Sequence, residues 1–483
     1  MNLLATLPYP KTFAAFNGLV AEWLLIWTCF GYPIQAMVVL YSGFDSTPVN
    51  ASFRAIYLFV SICLVAGAMV LFRPLKRSSY RLNIPLLAFV IFWILYGTRL
   101  VYDLEWKGLQ MLGYHKYYVY AWAFGCSMIP ALALLLNGRY MVAERLTKNM
   151  FYFLFTSIVC LTVYLVVYSG VTINELLVSH YEIFLSGKVT SVQELPVELK
   201  RASDVLINSI TISFYGSLMV VTSVAWFLFY QRRVSVWYTL LLVAALVMGI
   251  FLLMVGASRG PLLMFLFLSA GLILASVGTF LVRFSIYALA LFPAVSKKLK
   301  KLPRAGFSFK PVLHKLMMLL TGLMLIFTVY NYGRKKISFE IENLALKKRV
   351  EKMLEYRNDK TANDRIEMWT GALHQFKTNP VFGDSFINNV GNLYSHNIFM
   401  DVLMSVGVVG SLFFIIYLLA PFYYLLRLPS ERKRSLSVLF TAFLAFLALY
   451  MTSGGLFTAA EFWILSAALI GISRQYLRPG TAQ

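Results

Sequence analysis

Apolar stretches of about 20 residues, the length at which a helix crosses a bilayer, recur along most of this chain and leave it few folds to choose from. In hydrocarbon every backbone N–H and C=O needs a partner inside the protein, and a helix supplies one within each segment. Hydropathy places about twelve spans, over 16–42, 53–72, 84–102, 117–136, 150–168, 206–230, 237–256, 261–282, 313–331, 397–426, 435–452 and 456–473. The expected fold is an all-α polytopic membrane protein. The apolar run 284–295 is assigned to the loop after the eighth span, with an extension of that helix as the alternative. Composition agrees, at 59% hydrophobic and 13% charged residues. Soluble domains hold roughly 45–50% apolar and 25% charged residues, so a soluble enzyme, a disordered tail and a coiled coil are excluded.

The formal net charge is +22. No zinc-finger spacing, RNP-type aromatic motif or P-loop accompanies it, so no nucleic-acid partner is expected. Basic loops instead orient helices and meet anionic lipid headgroups. Of the 43 Lys and Arg, 24 fall on one set of alternate loops, against 8 in the short loops of the other set. The rest sit in the long segment 331–395, and long segments count little in the positive-inside rule. Both termini are therefore expected to be cytoplasmic. Cys29, Cys63, Cys126 and Cys160 lie scattered in apolar runs, which argues against a disulfide or a Cys-based metal site. No small-residue cleavage site clearly follows the first apolar segment, which reads as a retained helix.

This organisation divides the chain into 1–330, spans one to nine with an outer loop at 169–205; 331–395, the large outer loop; and 396–483, spans ten to twelve with a short tail. In the first outer loop Thr172 and Glu175 form a capping-box pattern before Leu176, Leu177, Ile183 and Phe184, the pattern of a short interfacial helix. The second loop begins with a charged, roughly helical stretch, Ser338–Arg357. Further on, Ile366, Trp369, Leu373 and Phe376 recur at helical spacing and mark one face of a helix. Asp364 with Glu367 resembles a capping box at its start, and Asn379-Pro380 and Gly383 end it. There is no internal repeat.

Three outer-face features carry chemistry. The hinge Gly256-Ala257-Ser258-Arg259-Gly260-Pro261 joins spans seven and eight and holds Arg259 near the outer surface. A snorkelling arginine is the plain alternative, but a juxtamembrane charge on the side that disfavours positive residues is a functional candidate. Glycines there let backbones approach, and Pro261 suits the first position of the next helix. Arg365 is expected in the first turn of its helix. A cation there opposes the helix dipole unless an anion binds the free N–H groups, or unless Asp364 or Glu367 pairs with it. The third feature is Tyr394-Ser395-His396-Asn397, where the large loop re-enters the membrane. His396 is either a hydrogen-bonded structural residue or a group that titrates near neutral pH at the mouth of a helix. Gly407 and Gly410 below it are read as packing positions. Two arginines and a histidine suit a diphosphate, whose oxygens match guanidinium forks, beside a group that takes a proton from an incoming hydroxyl.

At these residues the chain resembles the O-antigen ligase and O-antigen polymerase superfamily of the bacterial envelope. The segments that carry the resemblance are Ser258-Arg259-Gly260 before an apolar helix; Asp364-Arg365-Ile366-Glu367-Met368-Trp369 followed by Pro380 and Gly383; and Ser395-His396-Asn397-Ile398 running into Gly407-Val408-Val409-Gly410. They cover roughly 250–415, and their order and the long outer loop also match. The resemblance implies a metal-independent, inverting glycosyltransferase without a cofactor, in the inner membrane. It would move a glycan from undecaprenyl diphosphate to an acceptor sugar at the periplasmic face. The acceptor would be another lipid-linked repeat unit for a polymerase, or lipid A–core for a ligase. By motif match Arg259 and Arg365 would bind the diphosphate and His396 would activate the acceptor hydroxyl, with Ser258 and Asn397 in support.

Asp103 and Glu105 are the acids that a metal-dependent transferase would use, although a solvated loop is the simpler reading. Glu22 and Glu461 are unassigned, with Arg54 and Arg99 as cations they could orient. The competing class is a transporter or flippase of lipid-linked sugars. It predicts essential charges at mid-membrane and paired broken helices, where the enzyme reading predicts Arg259, Arg365 and His396 together at the outer surface.

Overall fold

The computed structural model describes residues 9–42, 46–71, 83–168, 209–230, 236–256, 258–290 and 360–477. Among these, nine helices are long and apolar enough to cross a membrane, and a tenth apolar helix, Gly260–Ser276, is shorter. The chain is an all-helical, multi-pass membrane protein. The expected ninth span at 313–331, the interfacial helix in 169–205 and the stretch Ser338–Arg357 lie outside the described residues.

The first expected span is two helices, α1 (Tyr9–Phe30) and α2 (Tyr32–Ser42), separated at Gly31. The cause is Pro33, which has no N–H to donate four residues back. The Cys29 carbonyl it leaves unserved accepts from the Tyr215 hydroxyl at 3.4 Å. α3 (Ser46–Leu71) and α4 (Ile84–Val101) follow. Asn83 caps α4 by accepting from the Leu86 N–H at 3.3 Å, and Pro85 sits in the first turn, where no intrahelical donor is needed. α4 continues through a π turn, Tyr102–Trp106. α5 (Lys116–Tyr120), a π segment (Ala121–Met128) and α6 (Ile129–Asn137) form one continuous rod. Next come α7 (Ala143–Tyr168), α8 (Ser209–Ala225), α9 (Val236–Gly256) and α10 (Arg259–Ala290). The backbone of α10 runs as far as Ala290, so the start of the 284–295 run extends the eighth span.

α11 (Lys360–Thr378) is a polar helix. The bundle is completed by α12 (Ile398–Arg427), α13 (Ser430–Tyr450) and α14 (Ala460–Tyr476). The core lies where α4, α12 and α14 meet. Trp463 of α14 is fully buried, with ring centroids of Trp93, Phe92, Tyr417, Phe414 and Phe89 within 5.1 to 5.9 Å. Tilted and edge-to-face contacts of this kind each add about 0.5–1.5 kcal/mol beyond the area they bury. The Tyr417 hydroxyl reaches the Trp463 carbonyl at 3.2 Å, so the ring's polar end is satisfied inside the bundle. α6 and α14 close against each other through Gly138 and Gly471. A Cβ on Gly138 would stand 2.7 Å from the Gly471 Cα, so only a residue without a side chain allows this approach.

The buried acids have other partners than the sequence suggested. Glu22 takes Arg145, at 2.7 and 2.9 Å, and the Val142 N–H at 2.7 Å, which ties α1 to the turn before α7. Glu461 accepts from the Tyr450 hydroxyl and so links α14 to α13. Arg54 rests on the rings of Tyr118 and Trp122. A carboxylate in low dielectric takes the nearest donor that the packing delivers. Here neighbouring helix ends deliver it, which spacing along the chain does not reveal.

Candidate functional site

α11 is already helical at Lys360, where the described residues resume, so Asp364 lies inside the helix rather than at its cap and Arg365 lies beyond a first turn. The Asp364–Glu367 spacing imitates a capping box, but no breaker precedes it, and Thr361-Ala362-Asn363 continue the helix backwards. The expected apolar face is also rotated. Ile366 and Leu373 are 48% and 38% exposed, while Ala372 and Gln375 are 1% and 2% exposed. Arg365, Met368, Ala372 and Gln375 share the inward stripe at steps of three and four. The inner face is set by backbone groups in the following loop that need an amide. Gln375 donates to the Ile387 carbonyl at 3.0 Å and accepts from the Asn389 N–H at 3.0 Å. Asn388 donates to the Met368 carbonyl. Arg365 is thereby turned towards the bundle.

α10 starts at Arg259, with the Ser258 carbonyl accepting from the Leu262 N–H at 3.2 Å. Pro261 is therefore the third helical residue, not the first. The Ser258 N–H donates to the Ser213 hydroxyl at 2.9 Å, which holds the hinge on α8. Arg259 is the first residue of α10, and its side chain lies outside the described residues. Gly260 stands beside Thr452 at the end of α13. In the loop that follows, Gly455 lies against the ring of Tyr394, two residues before His396. The hinge, the α13–α14 loop and the His396 segment thus gather at one end of the bundle.

Asp401, in the first turn of α12, fastens this segment. It is 2% exposed and accepts from the Ser395 N–H at 2.7 Å, the Ser395 hydroxyl at 2.6 Å and the Leu456 N–H at 2.9 Å. Asn397 caps α12 through the N–H groups of Phe399 and Met400. Between these fixed points His396 adopts φ +59°, a left-handed conformation that costs a side-chain-bearing residue of order 1–3 kcal/mol. Its ring meets Tyr394 edge to face at 4.5 Å. Among the described residues its Nδ1 is buried without a hydrogen-bond partner. Burial first, and the nearby Arg365 charge second, depress its pKa to about 4, so the imidazole is neutral at neutral pH. Burial also lowers the pKa of Arg365 from its ordinary value. Asp401 was missed in the sequence, where its only signal is an acid inside an apolar run.

Beneath the site α12 is broken rather than close-packed. Gly407 has φ +58° and ψ −158° inside the helix. The loop after α11 enters the break. Val408 and Val409 donate to the carbonyls of Pro380 and Val381, and Asp384 donates to that of Met404. A Cβ on Gly407 would stand 2.5 Å from the Val381 backbone, and one on Gly383 2.4 Å from that of Ser405. Arg99 locks the crossing, donating at 2.9 to 3.0 Å to the carbonyls of Phe382, Gly383, Asp384 and Ser405.

Asp103 and Glu105 are engaged separately. Asp103 is buried, accepts from the Phe386 N–H at 2.9 Å and lies 3.5 Å from Lys107. Glu105 pairs with Lys116 at 2.7 Å and with the Tyr120 hydroxyl at 3.1 Å. They act as structural anchors of the end of α4 that the π turn extends. Among the described residues no group of three His, Cys, Asp or Glu is placed to hold a metal ion.

Among curated proteins none matches the chain. Residues 260–415, which run from the hinge glycine through Arg365 and His396 into the broken helix, match the family model described as O-antigen ligase, and the chain is thereby similar to the O-antigen ligase and polymerase superfamily.

Proposed function

We propose that the chain transfers a glycan from undecaprenyl diphosphate to a sugar hydroxyl at the periplasmic face of the inner membrane, as an O-antigen polymerase or ligase. The observation that carries this reading is His396. It is a neutral, half-buried imidazole, forced into a left-handed backbone with one ring nitrogen unpartnered, beside Arg365 and inside the segment that matches the O-antigen ligase family. The family match supports glycan transfer by a membrane enzyme, and the roles of individual residues are our assignment.

In this reading Arg365 and Arg259 hold the diphosphate, with Ser258 and Asn397 fixing the two backbones that carry Arg259 and His396. His396 takes the proton from the acceptor hydroxyl. The freed oxygen attacks the anomeric carbon, and the bond to the diphosphate breaks with its electron pair leaving on undecaprenyl diphosphate. The arginines stabilise that leaving charge as it develops. Displacement in line inverts the anomeric configuration, and His396 returns its proton to solvent. No step needs a metal ion or a cofactor. An empty site keeps His396 a weak base. A bound diphosphate cancels the Arg365 charge and brings the imidazole nearer the operating pH, where a general base works best.

The test uses purified protein in liposomes with an undecaprenyl-diphosphate-linked repeat unit as both donor and acceptor. Chains that lengthen with wild type and not with His396→Ala identify a polymerase. If none lengthen, lipid A–core is added as acceptor, and its modification identifies a ligase. A folded protein that modifies neither overturns the reading in favour of a transporter.

A further inference from the structure

A file of aromatic rings leads away from His396. Its ring is 4.5 Å from Tyr394, Tyr394 is 6.4 Å from Tyr114, Tyr114 is 5.4 Å from Tyr118, and Tyr118 is 6.1 Å from Trp122. These steps are comparable with the length of one hexopyranose unit. Arg54 of α3 closes the file, with its guanidinium carbon 5.0 Å from the Tyr118 ring centre and 4.2 Å from that of Trp122.

Rings at the end of a membrane helix are often an interfacial belt facing headgroups. Two observations set this file apart. It runs from a covered end to an accessible one, since Tyr394 is half-buried, Tyr118 is exposed, and the Trp122 indole nitrogen is fully covered without a partner among the described residues. It also ends in a cation that forms no ion pair with any described carboxylate, the described bridges being those of Asp103, Glu105 and Glu22. Contact with ring faces supports the charge of a guanidinium. It does not satisfy the five N–H donors along its edge, for which the described residues supply no hydrogen-bond acceptor, so they can fork onto an oxyanion.

We propose that this file is a saccharide-binding platform ending in a subsite for an anionic sugar, so that the acceptor glycan lies along the rings with its reacting hydroxyl at His396 and a carboxylate on Arg54. The apolar C–H faces of pyranose rings pack on Tyr394, Tyr114, Tyr118 and Trp122. The site thereby prefers an acidic acceptor over a neutral one. This rests on the glycan-transferase reading of the site.

The experiment is calorimetric titration of the full-length protein in detergent with trigalacturonate and with its neutral methyl ester. Wild type is expected to bind the acid about tenfold more tightly, the factor that one charge-assisted pair supplies. Arg54→Gln should erase that preference and leave the ester affinity in place. Tyr118→Leu should weaken both by a similar factor. If Arg54→Gln fails to fold, Arg54→Lys, which keeps the charge but not the planar fork, should lower the preference for the acid. Equal wild-type affinity for acid and ester overturns the anionic subsite. Inorganic phosphate binding as tightly as trigalacturonate, in an Arg54-dependent way, overturns the saccharide platform. Acid-selective binding without transfer in any assay keeps this inference and overturns the function proposed above, and transfer without acid selectivity does the reverse.

Discussion

Removing the Asp401 carboxylate tests whether the His396 segment is held or merely packed. In the folded protein that carboxylate accepts from two N–H groups and one hydroxyl, at 2.6 to 2.9 Å. Asp401→Ala leaves the Ser395 and Leu456 N–H groups buried without acceptors, at roughly 1–3 kcal/mol each, so a loss of about 2–6 kcal/mol of stability is expected. The kinetic effect is separate. His396 keeps φ +59° because Ser395 and Asn397 are pinned on either side of it. Released on one side, it relaxes toward an ordinary backbone conformation and carries its imidazole away. Misplacement of a reacting group by about 1 Å costs about a hundredfold in rate. Asp401→Asn, which keeps one acceptor oxygen, should fall between wild type and alanine in both respects. The assay is glycan transfer, read as kcat across pH, with thermal unfolding in the same detergent. A variant that loses stability but keeps the wild-type kcat and pH profile would refute the reasoning, because Asp401 would then hold the fold and not the histidine.

Three further outcomes follow from the same geometry. Burial and Arg365 together hold the His396 pKa at about 4 against an ordinary 6.5, so kcat/KM should rise through a low-pH limb near 4 as the base loses its proton. Arg365→Gln should move that limb upward by less than half of the full displacement, since burial is the larger cause, and an unmoved limb would show that another group titrates. Arg99→Ala withdraws the donor from four carbonyls and leaves buried Asp103 with Lys107 as its remaining cation. A loss of roughly 3–5 kcal/mol is expected in denaturant titration. Glu22→Gln should cost no more than about 1 kcal/mol, because Arg145 is 42% exposed and returns to solvent. Glu22→Ala should cost about 1–3 kcal/mol more, by orphaning the Val142 N–H.

The apolar runs made most of the bundle legible, since bilayer thickness fixes span length and leaves boundaries within a few residues. The finer features follow from forces that hydropathy does not weigh. Pro33 marks the split between α1 and α2 and was readable from its missing N–H. The break at Gly407 was not, because glycine in an apolar helix looks the same whether it admits a neighbouring helix or a crossing loop. α11 was rotated from its expected face because the loop beneath it needs an amide, and Gln375 supplies one while Ile366 faces outward. The three motifs were found by residue type and order. Asp401, which fastens one of them, and Arg99, which fastens the backbone below, act through long-range contacts that spacing does not encode.

The clasp of Arg99 on the broken helix has a consequence for how the chain is made. Its acceptors lie 283 to 306 residues downstream. The ribosome delivers α4 to the membrane long before those carbonyls exist. During that interval the available partner is Asp103, one turn further along and 3.9 Å away in the finished protein. Such an acid neutralises the arginine locally and spares the nascent span an unpaired charge in or near lipid. The pair is thus a provisional bond, handed over when the last third of the chain arrives. Truncations before residue 380 would leave Arg99 in that provisional state, and this end of the bundle would close only after synthesis of α12.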